Sequence, residues 1–132
     1  MFKTKNDLPE KVRAKINALV NARLLDMLHL GIHAKDAHWN VRGPNFIQLH
    51  ELFDKIDSDT QEDVDELAER IAALGGIVQA SALQIAKDSQ LKAYPAGISG
   101  GKEHVIALSD SIAVVARHMR QSISKAAELG DD

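Results

Sequence analysis

The residues best suited to chemistry lie between His38 and Glu69, in the stretch HWNVRGPNFIQLHELFDKIDSDTQEDVDELAE. His38 and His50 stand on either side of a Gly43-Pro44 break. His50 and Asp54 are four residues apart, so on a helix they share a face, and Asp65 and Glu69 repeat that spacing eleven residues later. Eleven residues is close to three helical turns, which puts both pairs on one stripe. An imidazole and a carboxylate at this spacing can hold a metal ion through nitrogen and oxygen. One helix cannot close such a site, because Asp54 and Asp65 would lie roughly 16 Å apart along it. Two copies could. The numbers of His50 and Glu69 sum to 119, as do those of Asp54 and Asp65. An antiparallel pair of these helices about a two-fold axis near residues 59 and 60 would set His50 against Glu69 of the second copy, and Asp54 against its Asp65. Asp57 and Glu62 obey the same sum. A solvated acidic helix face is therefore the plainer alternative.

Several elements must position these groups. Pro9 and Glu10 suit a helix start, and the stripe Val12, Ile16, Leu19, Val20, Leu24, Met27 and Leu28 carries a first helix to about Trp39. Asn40 to Asn45 is a tight connection, since Gly43 permits unusual backbone angles and Pro44 ends the helix. It lets His38 approach His50. A second helix is expected from about Asn45 to Leu74, stopped by Gly75-Gly76. Ile77 to Gly101 is a long crossover in which Ala82 to Lys87 form a short helix. A third long helix runs from about Lys102 to Leu129 on the stripe Val105, Leu108, Ile112, Val115, Met119, Ile123 and Ala126. The fold class is all-α: three long helices and a short one in the crossover.

His29 and His33 form a rival metal pair on the first helix, set against a simpler role as solvent-facing or core histidines, because no carboxylate falls clearly on their face. His104 and His118 read as structural or exposed, and Arg117 and Arg120 as surface charges. Trp39 is the only tryptophan, and its simplest role is to plug the end of the core.

At 132 residues, with 45% hydrophobic and 27% charged residues, the chain reads as one globular domain over residues 1–132. A net charge of −3 argues against a surface built wholly for nucleic acid and suits the attraction of cations. The absence of cysteine excludes disulfides and thiolate metal sites. No apolar signal segment opens the chain, and the longest uncharged run, Ile71 to Ala86, is too short to span a bilayer. The expectation is a soluble, cytoplasmic protein.

The segments HWNVRGPNF, LHELFD and VDELAER, in this order and spacing, resemble the Dps family, the mini-ferritins known as DNA-binding proteins from starved cells. The similarity runs from about Leu19 to the C-terminus. It implies a ferritin-like bundle, a hollow dodecameric shell, and ferroxidase centres at two-fold interfaces that oxidise Fe(II) with hydrogen peroxide and store the ferric mineral. Carried over residue by residue, it implies His38, His50 and Asp54 from one subunit, with Asp65 and Glu69 from its partner, as ligands of a di-iron centre. Zinc, manganese or cobalt could replace iron at such donors. The resemblance also places Trp39 beside the centre as a source or quencher of an electron. The family's bundle has a fourth long helix, so the chain reads as C-terminally shortened relative to it, with Glu128, Asp131 and Asp132 as remnants of the acids that line its iron pores. Family members that compact DNA often use a lysine-rich tail. Here only Lys3 and Lys5 precede Asp7 and Glu10, so DNA is the weaker partner. A catalytically silent fragment is the remaining alternative.

Overall fold

The computed structural model describes residues 1–131; Asp132 lies outside the described residues. Helix α1 spans Glu10–Asn40, α2 Phe46–Ala73, α3 Ala82–Asp88 and α4 Gly101–Glu128. The helix starts follow local chemistry. Pro9 precedes the first turn of α1 with extended backbone angles. Ser81 and Gln84 cap α3 reciprocally, Ser81 Oγ accepting from the Gln84 N–H at 3.3 Å and Gln84 Oε1 from the Ser81 N–H at 2.9 Å. Glu103 accepts from the Gly100 N–H at 3.1 Å at the start of α4. Gly43 at φ +115° and Gly75 at φ +80° make the two turns that flank α2.

Helix α1 is the central element and packs against α2, α3 and α4. Leu24, Leu25, Asp26 and Met27 are all buried. Four consecutive residues face almost every direction around a helix, so only a helix covered on all sides can bury them. The two outer long helices bury single stripes instead. On α2 these are Phe53, Thr60 and Ile71, and on α4 His104, Leu108, Val115 and Ser122. The continuous core joins Met27, Leu30, Ala34, Ala37 and Val41 to Phe53, Leu91, Leu108 and Val115. Part of the α4 stripe stays open: Val105, Ile112 and Ile123 are exposed.

Gly31 sets the distance between α1 and α2. A Cβ there would meet Thr60 Oγ1 at 3.0 Å and Asp57 Oδ1 at 3.1 Å. At the other end of α2, buried Arg13 donates to the Leu74 carbonyl at 2.7 Å, a cation on an otherwise unsatisfied helix terminus. The Phe2 N–H donates to the Gly75 carbonyl at 2.8 Å. The N-terminal segment therefore lies against the end of α2. At the opposite end of the bundle the Arg42 N–H donates to the Ser99 carbonyl at 2.8 Å, tying the α1–α2 turn to the start of α4.

Phe53 is 1% exposed and is the largest fully buried side chain. Phe53→Ala is expected to cost roughly 3–5 kcal/mol of unfolding free energy, measured by urea denaturation, with the α-helical spectrum retained before the transition.

Candidate metal centre

The α1–α2 hairpin brings His38 and His50 face to face. Their rings stack with centroids 3.6 Å apart and 21° between planes. Each Nδ1 lies 2.8 Å from the main-chain carbonyl of the other residue. A carbonyl oxygen only accepts, so both Nδ1 atoms must carry the proton. In the neutral form of the rings Nε2 then presents its lone pair, with tautomer and orientation held by the backbone. That is the usual way a protein prepares a histidine for a metal ion.

Asp54 lies one turn beyond His50 and is exposed. Lys35 of α1 donates to its Oδ1 and also reaches Asp57 Oδ2 at 3.5 Å. The hydrogen bond from Lys35 holds the Asp54 carboxyl below its ordinary range, and the charge of Lys35 and the neighbouring imidazoles act in the same direction. The same bond raises the Lys35 ammonium. The sequence reading did not include Lys35. Its one signal was position, one turn before His38 on α1. Any cation that binds Asp54 competes with this ammonium.

Asp65 and Glu69 are exposed farther along α2, roughly three turns beyond Asp54. Among the described residues, no three of histidine, cysteine, aspartate and glutamate gather within this chain to hold an ion. His38 and His50 come together near the start of α2, Asp54 follows one turn on and is paired with Lys35, and Asp65 and Glu69 stand apart from them. The donor set of two imidazole nitrogens and carboxylate oxygens suits iron, and also zinc, cobalt or manganese.

Trp39 is 67% exposed and does not plug the core, contrary to the sequence expectation. Ala37 and Val41, spaced one turn apart, are the inward residues there and are almost fully buried. Trp39 lies about 200° around the helix from each. Its indole instead borders a shallow groove with Leu28, Ile32, Lys35 and Gln61. His104 is buried and within 2.8 Å of the Tyr94 hydroxyl, so it is structural as expected. Asp131, expected as a pore acid, pairs with Arg70.

This bundle, with a crossover between α2 and α4 and paired imidazoles beside a carboxylate, defines a ferritin-like protein. The sequence model of the ferritin-like domain matches residues 17–132. The DNA protection during starvation protein of Agrobacterium fabrum is 36% identical over 98% of this chain and 80% of its own length. The solved Dps of Mycobacterium smegmatis superposes with a TM-score of 0.91 at 32% identity, covering 97% of this chain and 78% of that one. A Dps from Vibrio cholerae, described as a member of the ferritin-like diiron-carboxylate superfamily, superposes with a TM-score of 0.89 at 27% identity, over 99% and 83% of the two chains. The chain belongs to the Dps family of ferritin-like proteins. No helix among the described residues is long and apolar enough to cross a membrane.

Lys35→Met removes the ammonium from Asp54. With Lys35 present, the folded pKa lies below the ordinary 3.8. The pair thus stabilises the fold above that pH, and the contribution fades as pH falls through the folded pKa. In the variant, Asp54 is expected to titrate at higher pH, as read by carboxyl carbon NMR.

Proposed function

We propose that this chain is a ferroxidase and iron-storage subunit, oxidising Fe(II) with hydrogen peroxide at a site shared by two copies. The observation that carries the reading is the clasped pair His38 and His50. Two Nε2 atoms are held in place one turn from the Asp54 carboxylate. The family supports iron as the substrate, as does the diiron-carboxylate description of the Vibrio cholerae relative.

In this reading Asp65 and Glu69 of a second copy complete the site, because they share a helix stripe with His50 and Asp54 and remain exposed. The imidazoles bind Fe(II), and the carboxylates hold the harder Fe(III) as it forms. Two Fe(II) ions lose one electron each. The peroxide O–O bond breaks, taking both electrons and two protons to leave two waters. Lys35 leaves Asp54 as the cation arrives, so no uncompensated charge is created. Trp39, next to His38 and open to solvent, is positioned to give or quench a stray electron. Two-fold dimers are the minimal active unit, and a dodecameric shell would contain the mineral.

His50→Ala or Glu69→Ala alone is expected to abolish rapid oxidation, followed by stopped-flow absorbance after Fe(II) and peroxide are mixed. Unchanged rates in both variants would remove the site. Mixing these two dead variants separates a shared site from a single-chain one. In a mixed dimer one site takes both defects and the other has none. With free exchange about half the dimers are mixed, so about a quarter of all sites should recover. A site confined to one chain recovers at no ratio.

The name of the Agrobacterium relative points to DNA protection. We propose that this chain protects DNA by removing Fe(II) and peroxide and not by coating it. The net charge is −3, and the segment bearing Lys3 and Lys5 is tied to the end of α2. A gel-shift titration at physiological salt is expected to show no retarded band. Tight, steeply salt-dependent binding would favour coating.

A further inference from the structure

The second histidine pair, His29 and His33, is built much like the first and lies elsewhere. His29 is nine residues before His38, which places it on the opposite side of α1 and roughly 13 Å away along the helix axis. This side meets the crossover and α4. His29 Nδ1 lies 2.8 Å from Ser89 Oγ, and His33 Nδ1 lies 2.9 Å from Ser111 Oγ. Each serine has a second acceptor for its proton. Ser111 Oγ donates to the Ala107 carbonyl at 3.1 Å. Ser89 Oγ donates to the carboxylate of fully buried Asp26 at 3.2 Å and accepts from the Leu91 N–H at 3.2 Å. With the serine protons on these acceptors, each serine accepts from its histidine, both Nδ1 atoms carry the proton and both Nε2 atoms carry a lone pair.

Among the described residues no group hydrogen-bonds His33 Nε2. His33 is 2% exposed, and its Nε2 is buried without a hydrogen-bond partner. A buried polar atom left unmatched costs stability, and a bound cation would match this one. The ring centres of His29 and His33 are 4.5 Å apart. A tetrahedral ion about 2.1 Å from each Nε2 sets imidazole centres roughly 5 Å apart, a small opening from the observed spacing. Tyr94 packs beside His33 with ring centres 5.1 Å apart, but its hydroxyl is taken by His104. Asp26 acts at second remove, through Ser89. Burial holds both imidazoles below their ordinary pKa, His33 at about 4, so both are neutral donors at pH 7.

We infer that His29 and His33 form a second metal site, which takes one borderline divalent cation such as zinc or cobalt(II) through two Nε2 atoms, with water completing the coordination. No carboxylate oxygen is directed at the pair, so magnesium and calcium are poor ligands for it. His29 is only half-buried and provides the route in from solvent. Ser89 and Ser111 are positioning residues that hold the two rings in the metal-ready tautomer.

The probe is zinc chloride, applied in two ways. Wild-type crystals soaked in it are expected to show a zinc-edge anomalous peak between the two rings, separate from any peak at His38 and His50. No peak there overturns the inference, whatever else zinc does. In solution, calorimetric titration uses the full chain carrying His38→Ala and His50→Ala, which removes the interface imidazoles. About one zinc per chain is expected, weakened roughly tenfold or more by adding His29→Gln, and roughly tenfold by adding Ser111→Ala in its place. Binding that is absent in this background, or indifferent to His29→Gln, also overturns the inference. Should His29→Gln fail to fold, the anomalous map decides. Loss of this site leaves the ferroxidase reading untouched, since the two rest on different histidines.

Discussion

The close antiparallel approach of α1 and α2 is the constraint on which the site depends. Gly31 allows it, because any side chain at that position would meet Thr60 and Asp57. Once the two helices lie this close, each step back along α1 is matched by a step forward along α2. Asp57 lies opposite Gly31, Asp54 opposite Lys35, and His50 opposite His38. The stacked imidazoles and the lysine–carboxylate pair are consequences of one register. A helix separation larger by the width of a methyl group would loosen both together.

The two histidine pairs show one principle applied with different materials. In each, a hydrogen bond at Nδ1 chooses the tautomer and aims Nε2. Across the α1–α2 hairpin the acceptors are the main-chain carbonyls of the opposing residues. Inside the bundle they are serine hydroxyls that have Asp26 and the Ala107 carbonyl as acceptors for their own protons. The environments differ as well. The first pair is half-exposed beside open carboxylates, which suits cations that must arrive, react and leave. The second is enclosed by the crossover and α4, which suits an ion that stays. Lys35 has no counterpart at the inner pair. At the outer one it pairs with the Asp54 carboxylate.

The helices themselves were legible in the sequence to within about a residue. Apolar periodicity, Pro9, Pro44 and the glycine pairs mark the ends, and these signals act over a few residues only. The i,i+4 spacing of His50 with Asp54, and of Asp65 with Glu69, was legible for the same reason. Proximity of His38 to His50 followed from the short turn between them. What no local pattern contains is which faces meet. Lys35 reaches Asp54 across nineteen residues of sequence, and His33 reaches Ser111 across seventy-eight. Trp39 reads as a core residue by its chemistry, yet two neighbours in better phase, Ala37 and Val41, take the inward positions. Composition and periodicity by themselves determined an all-α chain with a stripe of imidazole and carboxylate groups at i,i+4 spacing. Only the tertiary structure, by fixing the register of α1 against α2 and the placement of the crossover and α4 against α1, decided which nitrogens are left with free lone pairs, because a tautomer is set by contacts that are distant in sequence.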